Sequence, residues 1–494
     1  MKRRQFNRHL IDLAAATASV SLLSQCSGET PRKNARYDTA SPRTGGQPIA
    51  IASTEGLLAL SLTATSQTQT IAGKPLNLLA YNGQVPGPVL EVRTGDVVRL
   101  TLVNHLSSPT NLHYHGLHIS PEVDDVFREV AAGERYTYEF QIPKTHPAVT
   151  GWYHPHYHLQ VASQVFDGLA GPLIVRGALD DIPEIRQAAE ALLVLKDFEP
   201  KLQGGSQNLS TLAKRWGREG RLLTANGQQN PMVKLPHNGL LRLRLINASA
   251  SGVYQLRLPD HPWFLIATDR GAIAEPIELE TLLLSPGERA ELLIPGSREP
   301  GNYEIVSVPY DRGLSEMIES MGEAARQMPG IVLPKHATIA TLQYQPSDRK
   351  APLLLPQQLI PVEPLPEPEI HREFVLDHGI DRSAGSTGFT INGQSFVMGR
   401  VNTHVRLNQV EDWHIINRAS MAHPFHLHTN RFQVIERNGQ PEPFRAWKDT
   451  VAIGSYESVT LRIKFEDFAG QTVYHCHILD HEDQGMMGIV DIQT

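Results

Sequence analysis

The chain repeats one pattern three times, and this repeat limits the fold more than any other feature of the sequence. Each copy begins with Asn-Gly-Gln, continues through alternating apolar and polar residues, and ends in an apolar stretch closed by asparagine. The opening asparagines are Asn82, Asn226 and Asn392, and the closing ones are Asn104, Asn247 and Asn417. Such alternation, with β-branched residues and frequent Gly and Pro turns, is typical of antiparallel strands in a β-sandwich. We therefore predict an all-β chain of three β-sandwich domains, the number that 494 residues also suggest.

The repeats and their flanking composition predict the domain boundaries. Seven prolines between Pro346 and Pro368 indicate an extended connector between the second and third domains. Within the second domain, Pro183 to Leu195 and Leu314 to Met328 are the candidate helices. The predicted segments are a signal peptide (1–28), a polar linker (29–53), domain one (54–178), domain two (179–345), a Pro-rich linker (346–370) and domain three (371–494).

The N-terminus reads as an export signal. A basic start with an arginine pair, Arg3 and Arg4, leads into a weakly apolar segment from Leu10 to Leu23. This pattern predicts a twin-arginine signal, recognition by the twin-arginine export machinery, and a periplasmic or otherwise exported protein. A disordered basic tail is the alternative interpretation. Cys26 stands near the position of a lipoprotein cysteine, but Gln25 before it fits that motif poorly, so a lipid anchor is the weaker expectation.

Charge and cysteine content exclude several classes of protein. A net charge of −7, without any Lys/Arg-rich run, argues against a nucleic-acid-binding surface. No stretch reaches the ~18 uninterrupted apolar residues that a membrane-spanning helix needs. Cys26 and Cys476 are the only cysteines, so removal of the signal leaves one thiol and no internal disulfide. A lone thiol in an exported protein is either used for chemistry or simply buried.

Histidine is distributed unequally among the three repeats. Two His-x-His pairs follow a closing asparagine by nine and eleven residues, and two more follow a tyrosine late in the domain. The pairs are His113 and His115, His154 and His156, His426 and His428, and His475 and His477. The second domain has no histidine at any equivalent position, with Leu256 and Leu258 in two of them. We therefore expect a site shared between the first and third domains, with the second domain as a spacer.

The spacing of these residues points to metal chemistry. Alternate residues of a strand face the same side, so each pair aims two imidazoles in one direction. Eight converging imidazoles exceed the capacity of one metal and predict a metal cluster, for which copper is well suited. Cys476 lies between two of these histidines and faces the opposite side, so it needs a separate metal. With His423, His481 and Met486 it forms the ligand set of a blue electron-transfer copper. Zinc also binds mixed Cys/His clusters, but zinc sites rarely gather ten histidines with one cysteine.

Together, these motifs resemble the four copper motifs of the multicopper oxidases. They are His-Tyr-His-Gly from His113, His-Pro-His from His154, His-Pro-Phe-His-Leu-His from His423, and His-Cys-His-x3-His-x4-Met from His475. Four motifs in order at the right spacings make the resemblance specific, and it covers about residues 54 to 494. It implies three cupredoxin-like Greek-key β-sandwich domains, arranged as in laccases and their relatives.

The resemblance also implies a cofactor set and a reaction. Four copper ions are expected, one of type 1, one of type 2 and a type 3 pair. The type 1 ligands are His423, Cys476, His481 and Met486; the type 2 ligands are His113 and His426; the type 3 ligands are His115, His154 and His477 on one copper and His156, His428 and His475 on the other. The expected reaction couples four one-electron oxidations of a small reducing substrate at type 1 copper to the reduction of dioxygen to water at the trinuclear cluster.

Reducing dioxygen to water also consumes four protons. The family places proton-relay carboxylates at positions that correspond to Asp124, eleven residues after His113, and Glu482, directly after His481. Proton delivery by a positioned carboxylate is a common device of general acid catalysis. The alternative interpretation of Asp124 and Glu482 is that each is an ordinary surface acid. Asp125 and Asp483 are the fallback candidates for the proton relay.

The electron donor is the least determined part of the prediction. In this family it docks near type 1 copper through exposed histidine ligands. Oxidation of phenols and aromatic amines is the favoured interpretation, and the protein is expected to be a monomer. Oxidation of Cu(I) or Fe(II) is the alternative. Soft thioethers select Cu(I), and four methionines are candidates, although Ala419 stands where copper-efflux oxidases have an acid. The four are Met317, Met321, Met328 and Met421.

A third interpretation belongs to a different class of protein. Some members of the family are copper-free structural or cell-division proteins. Those members have lost copper ligands, whereas this sequence has a residue of the expected type at each ligand position. The sequence therefore favours an enzyme over a structural protein.

Overall fold

The structure is a computed structural model that describes residues 47–202, 206–313, 315–380 and 387–494, without the side chains of residues 207, 316, 317, 380 and 387. The predicted signal peptide, Cys26 and most of the linker 29–53 lie outside the described residues. The end of that linker differs from the prediction. Residues Ala50–Ala52 form a strand, which we label β1, and it pairs in parallel with Val89–Arg93 of the first domain.

The first β-sandwich packs a five-stranded sheet on a four-stranded sheet. Its elements are β1, β2 (Leu57–Ile71), β3 (Lys74–Tyr81), β4 (Val89–Arg93), β5 (Val97–Asn104), β6 (His113–His115), β7 (Arg135–Gln141), β8 (Val149–His154), α1 (Val161–Phe166) and β9 (Gly171–Arg176). The strand orders are β1-β4-β9-β8-β6 and β3-β2-β5-β7. On β2, Leu58, Leu62 and Ala64 are buried whereas Ala59 and Ser61 are exposed, so this strand presents one face to the core.

The second β-sandwich follows the same plan and carries most of the helices. Its strands are β10 (Ala189–Phe198), β11 (Leu222–Ala225), β12 (Met232–Pro236), β13 (Leu240–Asn247), β14 (Tyr254–Arg257), β15 (Phe264–Thr268), β16 (Gly271–Glu278), β17 (Leu282–Leu284), β18 (Arg289–Pro295), β19 (Asn302–Val308) and β20 (Ala337–Gln345). Its helices are α2 (Ala178–Asp181), α3 (Pro183–Arg186), α4 (Thr211–Trp216), α5 (Ser315–Ser320) and α6 (Glu323–Gln327), with a 3₁₀ turn at Ser206–Asn208. The strand orders are β11-β10-β13-β18-β15-β16 and β12-β20-β19-β14-β17.

The helix predicted from Pro183 to Leu195 is wrong beyond Arg186. The apolar run that we assigned to its second half belongs to β10, which pairs in parallel with β13 and is buried on both faces. A continuous apolar run fits a buried strand and a buried helix equally well, because neither shows alternation. The second candidate, Leu314 to Met328, does contain the helices α5 and α6.

The third β-sandwich contains the C-terminal motifs. Its elements are β21 (Ile370–Ile380), β22 (Thr387–Ile391), β23 (Val401–Arg406), β24 (Val410–Asn417), β25 (His423–Leu427), β26 (Phe432–Arg437), β27 (Gln440–Pro441), β28 (Thr450–Ile453), β29 (Ser458–Lys464), β30 (Gly470–Cys476), α7 (Leu479–Asp483) and β31 (Met487–Gln493). The strand orders are β22-β21-β24-β29-β26-β27 and β23-β31-β30-β25-β28. Trp413 is fully buried between the sheets, against Phe374 and Tyr474.

The sequence repeat corresponds to one recurring piece of backbone. The opening asparagines Asn82, Asn226 and Asn392 have φ of 48°, 53° and 55°, and the glycine after each also has positive φ. Asn-Gly is the pair that tight turns with positive φ favour. The closing asparagines are the last residues of β5, β13 and β24, and each donates side-chain hydrogen bonds to backbone carbonyls of the loop that follows. These three sandwiches confirm the all-β prediction. Among the described residues, the helices are all too short or too polar to cross a bilayer.

Candidate metal centres

In the first domain, strand pairing places the histidines on one edge of the sandwich. The strands β6 and β8 are antiparallel, with His113 opposite His154 and His115 opposite Trp152. Because alternate residues share a face, His113 and His115 project in the same direction. His156 lies beyond the end of β8, where its backbone N–H donates to Asn111 Oδ1 at 2.6 Å.

The third domain repeats this arrangement. The strands β25 and β30 are antiparallel, with His426 opposite His475 and Phe425 opposite Cys476. His428 and His477 lie one residue beyond their strands, and both are held by backbone hydrogen bonds, to Val473 O and Pro424 O respectively. The two domains therefore present equivalent strand ends to each other.

The eight imidazoles meet between the first and third domains. His156 Nε2 and His428 Nε2 lie 3.2 Å and 3.0 Å from His475 Nε2. Ring nitrogens come together in three sets, whose members are His113, His115 and His426; His115, His154 and His477; and His156, His428 and His475. The second and third sets have the same members as the ligand groups expected for the type 3 pair, and the first set adds His115 to the expected type 2 ligands His113 and His426. In a neutral imidazole each ring nitrogen is either a donor or an acceptor. Three such nitrogens that lie close together therefore cannot all be hydrogen-bonded to one another.

The protonation state of these rings is suited to metal binding. Burial, followed by the charges of neighbouring histidines, lowers the pKa of His115, His156 and His475 well below the ordinary value, so the rings are neutral. Several buried ring nitrogens have no hydrogen-bond partner among the described residues: His113 Nε2, His115 Nδ1, His154 Nε2, His426 Nε2, and both nitrogens of His477. An unsatisfied buried polar atom is costly. Coordination to copper, for which neutral imidazole is a good ligand, satisfies it.

A second, separate site surrounds the thiol. Cys476 Sγ lies 3.4 Å from His423 Nδ1 and 3.7 Å from His481 Nδ1, and the two Nδ1 atoms are 3.2 Å apart. These are separations expected of ligand atoms around one copper or zinc, given metal–ligand distances of about 2.0–2.3 Å. Met486 is also fully buried, and its carbonyl accepts a hydrogen bond from the Cys476 N–H at 3.0 Å. Burial raises the pKa of the Cys476 thiol, so metal binding must displace its proton.

The expectation that the histidines of this second site are exposed is wrong. His423 and His481 are both 0% exposed. The ring of Phe389 stacks on His481 with 3.9 Å between centroids. Helix α4 of the second domain packs against α7, where Gln484 Nε2 donates to Lys214 O at 2.9 Å. A helix of the second domain and an aromatic side chain of the third therefore cover this centre.

The candidate methionines have different environments. Met321 is 47% exposed, Met421 is 3% exposed within the third-domain core, and Met328 Sδ lies 3.0 Å from the hydroxyl of Ser210. The side chain of Met317 lies outside the described residues. Burial thus separates Met421 in the core from Met321 at the surface.

Both predicted proton-relay carboxylates contact the histidine cluster. Asp124 accepts a hydrogen bond from His113 Nδ1 at 2.8 Å and another from the Tyr114 N–H at 3.0 Å. Burial alone raises the pKa of Asp124, but His113 and His428 hold it well below its ordinary value. The fallback residue Asp125 instead pairs with Arg128 at 3.1 Å, away from the cluster. Asp124 is therefore the residue of this pair that is in position to act.

Glu482 contacts two other histidines of the cluster, His475 and His156. It is fully buried, with Oε2 3.1 Å from His475 Nδ1 and Oε1 3.5 Å from His156 Nε2. Burial, and then the nearby Asp483, raises the pKa of Glu482 well above its ordinary value. Asp483, the next residue in the chain, accepts a hydrogen bond from the Ala162 N–H at 3.0 Å.

Sequence reasoning missed a group of residues next to the cluster. Asp449 and Thr450, at the start of β28, lie against the histidines. Asp449 O accepts a hydrogen bond from His426 Nδ1 at 2.8 Å. Asp449 Oδ1 and Thr450 Oγ1 each lie 3.2 Å from His115 Nε2. Nothing in the spacing of these residues sets them apart in the sequence.

Comparison with known proteins identifies the family. Family models described as multicopper oxidase match residues 63–179, 193–324 and 367–494, one in each sandwich. The chain belongs to the multicopper oxidase family. It is 31% identical to the solved multicopper oxidase from Campylobacter jejuni, described as a metallo-oxidase, covering 92% of this chain and 97% of that one with a TM-score of 0.78.

Two further relatives have different descriptions. The solved laccase-like multicopper oxidase CueO of Ochrobactrum sp., described as active towards lignin model compounds, is 25% identical, with coverage of 90% and 99% and a TM-score of 0.77. The cell division protein FtsP of Photorhabdus laumondii is 30% identical, with coverage of 95% of this chain and 96% of that protein. These comparisons confirm the predicted family and the cupredoxin-like fold. Membership implies copper as cofactor, dioxygen as electron acceptor and a reducing substrate.

Proposed function

We propose that the protein binds four copper ions and couples four one-electron oxidations to the reduction of dioxygen to water. The observation that carries this proposal is the convergence of eight buried imidazoles from two domains, beside a separate buried Cys-His-His site. His423, Cys476, His481 and Met486 hold type 1 copper; His113 and His426 hold type 2 copper; His115, His154 and His477, and His156, His428 and His475, hold the type 3 pair.

The chain's own residues connect the two centres. Bound copper supplies reversible one-electron transfer and the chemistry of dioxygen reduction. Cys476 shares peptide bonds with His475 and His477, so one strand end gives a short covalent route between the outer site and the inner cluster. Substrate oxidation and dioxygen reduction are thereby separated in space while remaining electronically linked.

Protons reach the cluster through two carboxylates in this proposal. Glu482 Oε2, 3.1 Å from His475 Nδ1, holds a proton in a site without bulk water and releases it toward the cluster. Asp124 accepts the Nδ1 hydrogen of His113, which fixes the tautomer so that Nε2 faces the other histidines. The two acids therefore have different tasks, proton donation for Glu482 and ligand orientation with proton relay for Asp124.

For the electron donor we propose a small metal ion, Cu(I) or Fe(II), ahead of the phenols and aromatic amines that the sequence favoured. The full burial of His423 and His481 supports this order, because an aromatic ring has no imidazole edge to dock against. The metallo-oxidase from Campylobacter jejuni has the same fold at 31% identity. Phenol oxidation is the second candidate, in view of the likeness to the Ochrobactrum enzyme.

Oxygen-consumption assays with Fe(II), Cu(I) and a bulky phenol test this order. We expect the metal ions to be oxidised faster at equal driving force. Replacing the buried Trp216 of α4 with Ala opens the cover and should accelerate phenol oxidation with little effect on the metal ions. A wild-type protein that oxidises the phenol as fast as either ion would contradict the proposal.

A non-enzymatic role is the alternative from another class of protein. The FtsP relative, similar over 95% of this chain, supports it. Copper titration decides between the two: an enzyme binds copper and then consumes dioxygen with a reductant, whereas a structural protein does neither.

We also propose twin-arginine-dependent export and a monomeric periplasmic protein. The basic start with Arg3 and Arg4 supports export. Replacing both arginines with Lys should leave the protein in the cytoplasm, and sedimentation of the wild type should give the mass of one chain. Unchanged export of the double variant would contradict this proposal.

A further inference from the structure

We propose that Arg289, in β18 of the second domain, is a positioning residue for the copper cluster and acts through Asp449 on His115. The inference rests on the proposed function, because it concerns residues that orient a copper ligand. It also changes the role of the second domain, which the sequence presented only as a spacer. Both Arg289 and Asp449 are fully buried.

Arg289 joins all three domains with one side chain. A guanidinium has five N–H donors, and here each of them is used. Nε donates to Thr150 O of the first domain at 3.1 Å, and Nη1 and Nη2 donate to Gly287 O and Asp269 O of the second, both at 2.8 Å. The remaining two donors bind the two carboxylate oxygens of Asp449 in the third domain, both at 2.7 Å. Parallel bonds of this kind fix the plane of the carboxylate.

The fixed carboxylate determines which nitrogen of His115 is free. Asp449 Oδ1 lies 3.2 Å from His115 Nε2, and an ionised carboxylate only accepts hydrogen bonds, so Nε2 carries the hydrogen. The Thr450 hydroxyl, which donates to Asp449 Oδ1 at 2.9 Å, helps to hold that oxygen in place. Nδ1 of His115 is then the nitrogen with a free lone pair, and it is buried without a hydrogen-bond partner in the described part of the chain. Partners of this type set the tautomer and ring orientation of metal-binding histidines.

The second domain also touches the cluster through its backbone. Gly287, the residue whose carbonyl Arg289 Nη1 binds, has φ of 85° and lies directly on the ring of His477. A Cβ at this position would be 2.8 Å from His477 Cδ2. The short segment Gly287 to Arg289 therefore affects two histidines of the same set: Gly287 contacts His477 directly, and Arg289 acts on His115 through Asp449.

Asp449→Asn tests the inference because it keeps the size of the side chain. An amide offers one acceptor oxygen where two are used. Its NH2 therefore faces an Arg289 N–H in both flipped orientations, and in one of them it also faces His115 Nε2. We expect the variant to lose at least one of the three cluster coppers on dialysis and to show an altered type 2 EPR signal. Its blue absorption should stay unchanged, because Cys476 and its partners are elsewhere.

Glu411→Gln is the matched control. Glu411 is another fully buried carboxylate of the third domain, bound by Arg372 at 2.6 and 2.8 Å and by Trp413 Nε1 at 2.8 Å. We expect this control to lower the unfolding temperature of copper-free and copper-loaded protein equally. Asp449→Asn should instead reduce the difference between the two forms, which a merely structural ion pair would not do.

Arg289→Lys is a second variant that keeps the positive charge beside Asp449. An ammonium lacks the planar fork, so we expect partial loss of cluster copper with the blue band retained. Full copper content and a wild-type EPR spectrum in both Asp449→Asn and Arg289→Lys would overturn the inference while leaving the proposed function intact. A wild-type chain that binds no copper would overturn the proposed function, and this inference with it.

Discussion

His156 and His475 bring their Nε2 atoms to 3.2 Å, although 319 residues separate them in the chain. One belongs to the first sandwich and the other to the third, so the cluster exists only where the two domains meet. Closure of the interface and assembly of the metal site are therefore one event, and copper binding should stabilise the contact between the domains.

The type 2 site gives the first prediction. Replacing His426 with Ala removes one of only two proposed ligands, so we expect the loss of about one copper in four and of dioxygen reduction. The blue band should survive, because its ligands Cys476, His423 and His481 form a separate group. Copper analysis, EPR and visible absorption check this. Bleaching of the blue band with an intact cluster would show that the ligands are wrongly divided between the centres.

The thiol gives the second prediction. Cys476→Ser replaces the soft sulfur donor with a hydroxyl of similar size, so the intense visible absorption of a copper–thiolate bond should disappear along with oxidase activity. Because the histidines of the inner cluster are untouched, type 2 and type 3 copper should remain. A Cys476→Ser protein that stays blue would contradict the assignment of this residue.

The axial position gives the third prediction, with a neighbouring methionine as control. Met486 is buried in the same apolar cluster as Cys476, whereas Met487 packs with Val126 and Val473 in a different one. Met486→Leu removes a weak sulfur ligand and should raise the redox potential of type 1 copper without loss of the metal. Met487→Leu should leave the potential unchanged. Redox titration of the blue band checks both, and a shift only in Met487→Leu would reverse the assignment.

A buried histidine outside the metal sites gives a prediction about pH. His146 Nδ1 donates to Pro147 O at 2.8 Å and Nε2 accepts from the His118 N–H at 3.0 Å, an arrangement that needs the neutral ring. Burial, and then the charge of Arg270, lowers the pKa of His146 to about 3. The unfolded chain, with a pKa of about 6.5 for histidine, therefore binds the proton first, and stability falls as the pH drops below that value.

The expected size of this effect is about 2 kcal/mol of unfolding free energy between pH 7 and pH 5. His146→Gln keeps a donor and an acceptor but cannot be protonated. Between pH 7 and pH 5 the variant should therefore lose about 2 kcal/mol less unfolding free energy than the wild type. Chemical unfolding of both copper-loaded proteins at the two pH values checks this. Equal losses in wild type and variant would mean that His146 is not held neutral.

Much of the fold and site was predictable because the relevant signals are local. Asn-Gly turns, alternation and closing asparagines determine strand ends, and His-x-His spacing determines which side chains share a face. Those two facts predict that the four His-x-His pairs converge, whereas the division of the histidines among separate coppers came from the resemblance to the multicopper oxidases. The prediction was wrong at β10. This apolar run is buried on both faces, so it shows neither the alternation of a half-buried strand nor the periodicity of an amphipathic helix.

The remaining features depend on contacts between distant segments. The burial of His423 and His481 results from α4 and Phe389, which approach from elsewhere in the chain. Arg289 and Asp449 are separated by 160 residues, and neither stands in a motif that signals its partner. Such contacts follow only from the three-dimensional arrangement of the domains.

Copper titration of the purified protein, with copper content, visible absorption and dioxygen uptake measured on the same sample, is the decisive experiment for a four-copper oxidase. We expect four coppers per chain, an intense blue band that requires Cys476, and consumption of one dioxygen per four electrons without release of hydrogen peroxide. A fully copper-loaded protein that is colourless, or that takes up no dioxygen in the presence of a reductant, would contradict it.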